Sequence, residues 1–289
     1  MRYMKFVFLT AAFASVSVAQ EAGWSDVEKI FGKKGAVQGN VEKFTFPRAD
    51  LSVTVGVVQV DAGLVLTSWI AFENMGDHTM MMGDLALLDK EVEPVVRQIV
   101  DHGLEVTAIH NHILNESPSI KYLHFGGQGD AGKLAQAMKT VLQVTGTPLH
   151  SSASSQQGTE EDWSGIESIL GRKGTHRGKL LLFGIPRSEK IVENGMEIPP
   201  FMGMATGVNF QKTGDKVAST GDFVLTADEV NPVVKALKEH GITVTAIHSH
   251  MLFESPRLFF LHFWVYDTPE KVAQGIKEAL AKTKMVNAG

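Results

Sequence analysis

Two stretches of the chain carry the same chemistry-bearing residues at the same spacing. "VTAIHNHILNESPSIKYLHF", residues 106 to 125, returns as "VTAIHSHMLFESPRLFFLHF", residues 244 to 263. The first places His110 and His112 one residue apart, Glu116 three residues on, and His124 seven residues beyond that. The second repeats the formula with His248, His250, Glu254 and His262. Residues two apart on a strand point to one face, with Cα atoms about 6.5 Å apart, so each His-x-His pair can present two imidazoles to one ion. Zinc, iron, manganese, nickel and copper all accept imidazole nitrogen, and a nearby carboxylate suits a mixed nitrogen and oxygen site. The chain has no cysteine, which removes thiolate catalysis and cysteine-bound zinc.

Whether the third histidine joins the other two depends on the hairpin between the arms. An odd loop pairs residue 110 with 122 and 108 with 124, and all three histidines then share a face. An even loop sends His124 to the opposite face. The odd register is expected in both copies, with His110, His112 and His124 as one set of metal ligands and His248, His250 and His262 as another. Glu116 and Glu254 are expected to lean toward the same points as catalytic proton carriers, as ligands, or as carboxylates that orient an imidazole.

The elements that must hold these residues are also written twice. An offset of 139 lays Trp24 on Trp163, Gly32 on Gly171 and Pro47-Arg48 on Pro186-Arg187. From Phe72 onward the offset is 138, laying Gly83-Asp84 on Gly221-Asp222 and His102-Gly103 on His240-Gly241. So long a period marks a duplicated domain rather than a solenoid array. The repeat units span 24 to 149 and 163 to 284, joined by a polar linker over 150 to 162. Each opens with a short helix, Trp24 to Phe31 or Trp163 to Leu170, stopped by glycine. Strand-like runs follow, among them Leu51 to Val60 and Leu64 to Phe72, with turns at 74 to 77 and 212 to 215. A second helix ends at His102-Gly103 or His240-Gly241, where the histidine meets the negative end of the helix and is structural. The opening hairpin comes next, and a last helix is capped by Asp130 or Thr268. Strands cluster before helices, so the expected class is α+β: two antiparallel sheets with packed helices, related by a pseudo-twofold.

The duplicated unit with its His110-Asn-His112, Glu116-Ser-Pro118 and Leu123-His124-Phe125 blocks resembles the LppY/LpqO family, exported proteins of unknown function. The resemblance covers nearly the whole chain after its first residues and implies a secretory setting. It supplies no substrate. The family's name comes from lipoproteins, and a chain without cysteine offers nothing to lipidate, so no lipid anchor is expected.

The first residues agree with export. A basic start, an apolar run from Phe6 to about Ala14 and small residues at Ser17 and Ala19 read as a signal peptide over 1 to 19, with the mature chain beginning near Gln20. The expected location is secreted or periplasmic, with no membrane span after signal removal. A net charge of −5 and a pI near 6.1 give no basic surface for nucleic acid. The sequence therefore points to an extracytoplasmic protein that binds a metal ion or small ligand at two duplicated sites. A metal-dependent, hydrolase-like enzyme and an interaction module with structural histidines are the alternatives.

Overall fold

The structure, a computed structural model, describes residues 24–149 and 161–286. The expected signal segment and most of the linker fall outside these residues. In the first repeat the elements run α1 (Ser25–Phe31), β1 (Ala36–Gln38), β2 (Val41–Pro47), β3 (Val53–Val55), β4 (Val58–Val60), β5 (Thr67–Asn74), β6 (Thr79–Leu88), α2 (Asp89–Asp101), β7 (Glu105–His110), β8 (Glu116–Ser117), β9 (Ile120–Gly129) and α3 (Ala131–Gln143). The second repeats this order as α4 (Ser164–Leu170), β10 (Thr175–Arg177), β11 (Leu180–Pro186), β12 (Val192–Glu193), β13 (Met196–Glu197), β14 (Ala205–Thr213), β15 (Lys216–Leu225), α5 (Ala227–Glu239), β16 (Thr243–His248), β17 (Glu254–Ser255), β18 (Phe259–Asp267) and α6 (Pro269–Leu280). A short 3-10 turn, Pro200–Met202, precedes β14.

Each repeat builds one six-stranded antiparallel sheet, ordered β1-β2-β5-β6-β9-β7 or β10-β11-β14-β15-β18-β16. The chain is thus a tandem duplication of an α+β unit, as its sequence implies. One face of each sheet is covered by that repeat's own helices. Leu85, Leu87, Leu123 and Phe125 meet Val95, Ile99 and Met138 there, and Leu261 and Phe263 meet Val233 and Ile276 in the copy. Fully burying side chains of this size contributes about 1.5–3 kcal/mol each.

The other face is buried against the second copy. Val53, Val58 and Val60 of the small β4-β3-β8 sheet pack with Leu180 and Ala218 of the second repeat. Reciprocally, Ile191, Met202 and Met204 pack with Val41, Ala71 and Met80 of the first. The layers are therefore helices, sheet, sheet, helices. Polar bonds tie the seam: Gln211 Nε2 donates to Gln59 O at 2.8 Å, Asn209 Nδ2 to Leu64 O at 2.8 Å, and Asn111 Nδ2 to Thr245 O at 3.1 Å. With both faces buried, the central strands read as nearly continuous apolar runs such as "MMMGDLALL", 80 to 88.

Local punctuation follows the sequence at most points. Gly32 and Gly171 close the first helices in the left-handed conformation, and Gly103 and Gly241 follow the second helices in the same state. Asp130 accepts the Lys133 N–H, and Thr226 N–H donates to Glu229 as in a capping box. Leu51 to Val60 is not one strand. It folds back as the β3/β4 hairpin at Gly56, whose φ is +57°. The strand expected from Leu64 starts instead at Thr67, because the Leu64 N–H donates back to Asp61 O at 3.0 Å and closes a turn there.

Candidate metal centre

The hairpin register decides the site. In the first repeat His110 pairs with Tyr122 and Ala108 with His124, and in the second His248 pairs with Phe260 and Ala246 with His262. This is the odd register, unbroken from the turn through the histidine pairs; a β-bulge shifts it only farther along, between Val106 and Ala108 and between Val244 and Ala246. His110, Tyr122 and His124 accordingly share a face. His112 lies just beyond the end of β7 and is held by its ring, stacked on Tyr122 with centroids 3.3 Å apart. His250 stacks on Phe260 at 3.4 Å in the same way.

The sequence led us to expect two separate sites, and the structure brings both triads into one. His110 stacks on His248 at 3.5 Å, His112 on His262 at 3.9 Å, and His124 on His250 at 3.7 Å. The first histidine of one copy meets the first of the other, while second and third exchange partners, as a twofold axis requires. The cause is the layering: the histidine face of each sheet is the face its own helices leave bare.

Three of the six imidazoles have a backbone carbonyl at Nδ1. His110 Nδ1 lies 3.2 Å from Asn111 O, His248 Nδ1 3.4 Å from Ser249 O, and His262 Nδ1 3.0 Å from Gly221 O. A carbonyl only accepts, so these Nδ1 atoms carry the proton and leave Nε2 with its lone pair. At His124 the Gly83 backbone opposes the fall of the pKa, as the Gly221 backbone does at His262. All six Nε2 atoms are buried and lack a hydrogen-bond partner among the described residues. Burial, reinforced at His110 by His248, lowers the pKa of His110 to about 3, and burial lowers that of His248 to about 4. The other four are held well below their ordinary value by burial and by one another. Six neutral imidazoles with idle lone pairs make a donor set for a borderline transition ion. The ligand atoms of His110, His248, His250 and His262 lie within 4.8 Å of one another, as do those of His110, His112 and His124.

Two carboxylates that sequence reasoning missed border the cluster. Asp84 pairs across the sheet with His124, and Asp222 with His262. Asp84 Oδ2 lies 3.6 Å from His112 Nε2, and Asp222 Oδ2 lies 3.4 Å from His250 Nε2. Burial pushes both pKa values well above the ordinary carboxylate range, with Lys43 opposing the shift at Asp84 and Asp84 adding to that at Asp222. The signal was present in the sequence: an acid inside an apolar strand, in "MMMGDLALL" and again in "ASTGDFVL".

Glu116 and Glu254 are placed differently from the expected convergence. Glu116 Oε1 accepts the Ile120 N–H at 3.1 Å, and Glu254 accepts from Leu258 N–H at 3.0 Å and Arg257 at 3.1 Å. Both brace the loop between the hairpin arms and stand outside the two histidine groups. Each carboxylate sits four residues before the amide it bonds, and this local bond turns it back along its own loop. Burial raises the Glu116 pKa to about 7.

Fold and site together define a duplicated α+β protein whose repeats share one imidazole centre. A family profile matches residues 25–144 and again 164–282, and the chain belongs to that family, described as Domain of Unknown Function (DUF1259). No curated protein matches it. Among solved structures, similarity extends to the trimeric bacterial microcompartment shell protein PduB, at 14% identity over 88% of this chain and 95% of that one, with a TM-score of 0.22. EtuB from Clostridium kluyveri is similar at 8% identity over 86% and 90% of the two chains, with a TM-score of 0.20.

Proposed function

We propose that the chain is an exported metal-binding protein that holds a first-row transition ion between its two repeats. The observation that carries this reading is the set of six buried Nε2 atoms, each without a partner, gathered in one place. Leaving one buried polar nitrogen unsatisfied costs about 1–3 kcal/mol, and a bound ion relieves several at once. The donor chemistry suits zinc, copper, nickel or iron better than magnesium or calcium, which prefer oxygen. Export rests on the signal-like start and on the resemblance to the LppY/LpqO family, and it gives the protein access to extracytoplasmic metal.

Elemental analysis of protein purified without a histidine tag, after incubation with Zn, Mn, Fe, Ni and Cu, tests the reading. A stoichiometric ion that survives desalting is expected, and its absence from folded protein would overturn the reading. N-terminal sequencing of secreted material should begin near Gln20.

A second reading, a hydrolase-like enzyme, has one observation in its favour: Glu116 carries a pKa of about 7, suited to moving protons near neutrality. Under that reading Glu116→Gln lowers turnover at least tenfold in a hydrolase substrate screen while metal content stays unchanged. Under the binding reading neither protein turns substrate over.

A further inference from the structure

The six Nε2 atoms can be shared among ions in few ways. One ion on His110, His248, His250 and His262 is within reach. It leaves Nε2 of His112 and His124 buried and unpaired, which is unfavourable. Adding a second ion on His110, His112 and His124 asks His110 to serve twice, yet its Nδ1 is taken by the Asn111 carbonyl. Splitting by repeat, three imidazoles to each ion, uses every nitrogen once.

Ring geometry agrees with the split. His110 stands 5.0 Å from both His112 and His124 between centroids, and His248 stands 4.9 Å from both His250 and His262. Imidazoles radiating from one ion at a metal–nitrogen distance of ~2.1 Å hold their centroids about 5.5 Å apart. Across the seam, each ring of one triad lies over a ring of the other at 3.5 to 3.9 Å. Ions centred in the two triads are then about 3.5–4 Å apart, the separation of two-metal sites.

The aspartates complete the count. Asp84 Oδ2 is 3.6 Å from His112 Nε2 and 3.8 Å from His124 Nε2. Asp222 Oδ2 is 3.4 Å from His250 Nε2, and its Oδ1 is 3.8 Å from His262 Nε2. These distances exceed those of hydrogen bonds, and Oδ1 of both aspartates is itself unpaired. Two ligands of one tetrahedral ion at ~2.1 Å stand about 3.4 Å apart, close to what each aspartate keeps with two of its three imidazoles; both aspartates stand outside the two histidine groups, so each carboxylate must turn toward the ion to join it.

We propose that the centre is binuclear: His110, His112, His124 and Asp84 hold one divalent ion, and their counterparts around Asp222 hold the other. The inference rests on the metal-binding reading and adds the number of ions and the fourth ligand of each. Three nitrogens and one oxygen suit Zn, Co, Ni, Cu or Fe. The gap between the ions takes a small oxygen-donor ligand, such as water or hydroxide.

The test is a cobalt(II) titration of the untagged, metal-stripped full chain, followed by visible absorption and by elemental analysis after desalting. Two ions per chain are expected. Asp84→Asn should weaken one equivalent at least tenfold and leave the other in place, and Asp222→Asn should do the same for its partner. Saturation at a single ion overturns the binuclear inference while leaving the metal-binding reading intact. No uptake by folded protein overturns both. If Asp84→Asn keeps two ions at undiminished affinity, the aspartate is no ligand. Copper(II)-loaded wild-type protein gives a readout that needs no variant: paired ions couple their spins, so the EPR spectrum shows a half-field transition or loses intensity against the copper content, whereas a full-intensity uncoupled mononuclear spectrum contradicts the pairing.

Discussion

Six imidazoles held neutral in one place make the metal-free protein sensitive to acid. An unfolded chain protonates a histidine near 6.5, while native His110 does so at about 3 and His248 at about 4. Between those values the unfolded state binds more protons. The stabilisation is thus present above about 6.5 and lost as pH falls toward the native values. Asp84 and Asp222 act in the opposite sense. Their native values are raised above 3.8, so their contribution is full below 3.8 and declines as pH rises. Glu42 and Glu116, raised by burial to about 7, and Glu73 and Glu193, raised in the same direction, act with the aspartates, so the histidine contribution is read as a difference between proteins. Between pH 6.5 and 4, Tm of metal-free wild-type protein should fall more, or rise less, than Tm of His124→Gln. Equal pH dependence in the two proteins would show that His124 is not held neutral by its burial. At this scale the histidines were legible in the sequence because their spacing was repeated. The aspartates were not singled out, because a lone acid in a strand acquires meaning only when its cross-strand neighbour is known.

Among the elements, two features should dominate stability. Arg48 is fully buried and bonds Glu91 at 2.8 Å, Asp50 at 2.9 Å and the Ala86 carbonyl at 2.6 Å. It pins the end of β2 to the start of α2, and Arg187 repeats the arrangement with Glu229 and Glu189. Removing one partner strands a buried charge, so Glu91→Ala should cost about 3–5 kcal/mol in denaturant unfolding. A cost below about 1 kcal/mol would show the pair to be idle. The second feature is the close approach of strands at Gly83 and Gly221. A Cβ at Gly221 would stand 2.1 Å from the Gly207 carbonyl oxygen, and one at Gly83 would stand 2.3 Å from that of Trp69. Gly221→Ala must move backbone and should lower stability by roughly 1–3 kcal/mol or more by the same measurement. Helix ends were readable from Gly32, Gly171 and the Thr226 box because capping is local chemistry. The β3/β4 hairpin was missed because "LSVTVGVVQV" is apolar enough to pass for one strand, and a single glycine carries the turn.

At the scale of the whole molecule, the repeats were legible and their docking was not. Periodicity reports which residues share a face of a strand. It is silent on what covers that face, and each histidine triad alone looked like a complete site. The clue that survives in hindsight is that β6 and β9 are apolar on both faces while each repeat has helices for only one. Docking brings His110 onto His248 and makes one centre from two copies. Metal binding should therefore stiffen the seam as a unit, and saturating zinc is expected to raise Tm of the full chain by several degrees, an effect lost in His110→Ala/His248→Ala. Anomalous diffraction from crystals of the metal-loaded full chain, collected at the absorption edge of the bound ion, would locate the metal itself. Anomalous density is expected between β9 and β18, within bonding distance of Nε2 atoms from both repeats. Density confined to outlying histidines such as His78, His102 or His240, with none among the six stacked rings, would contradict it.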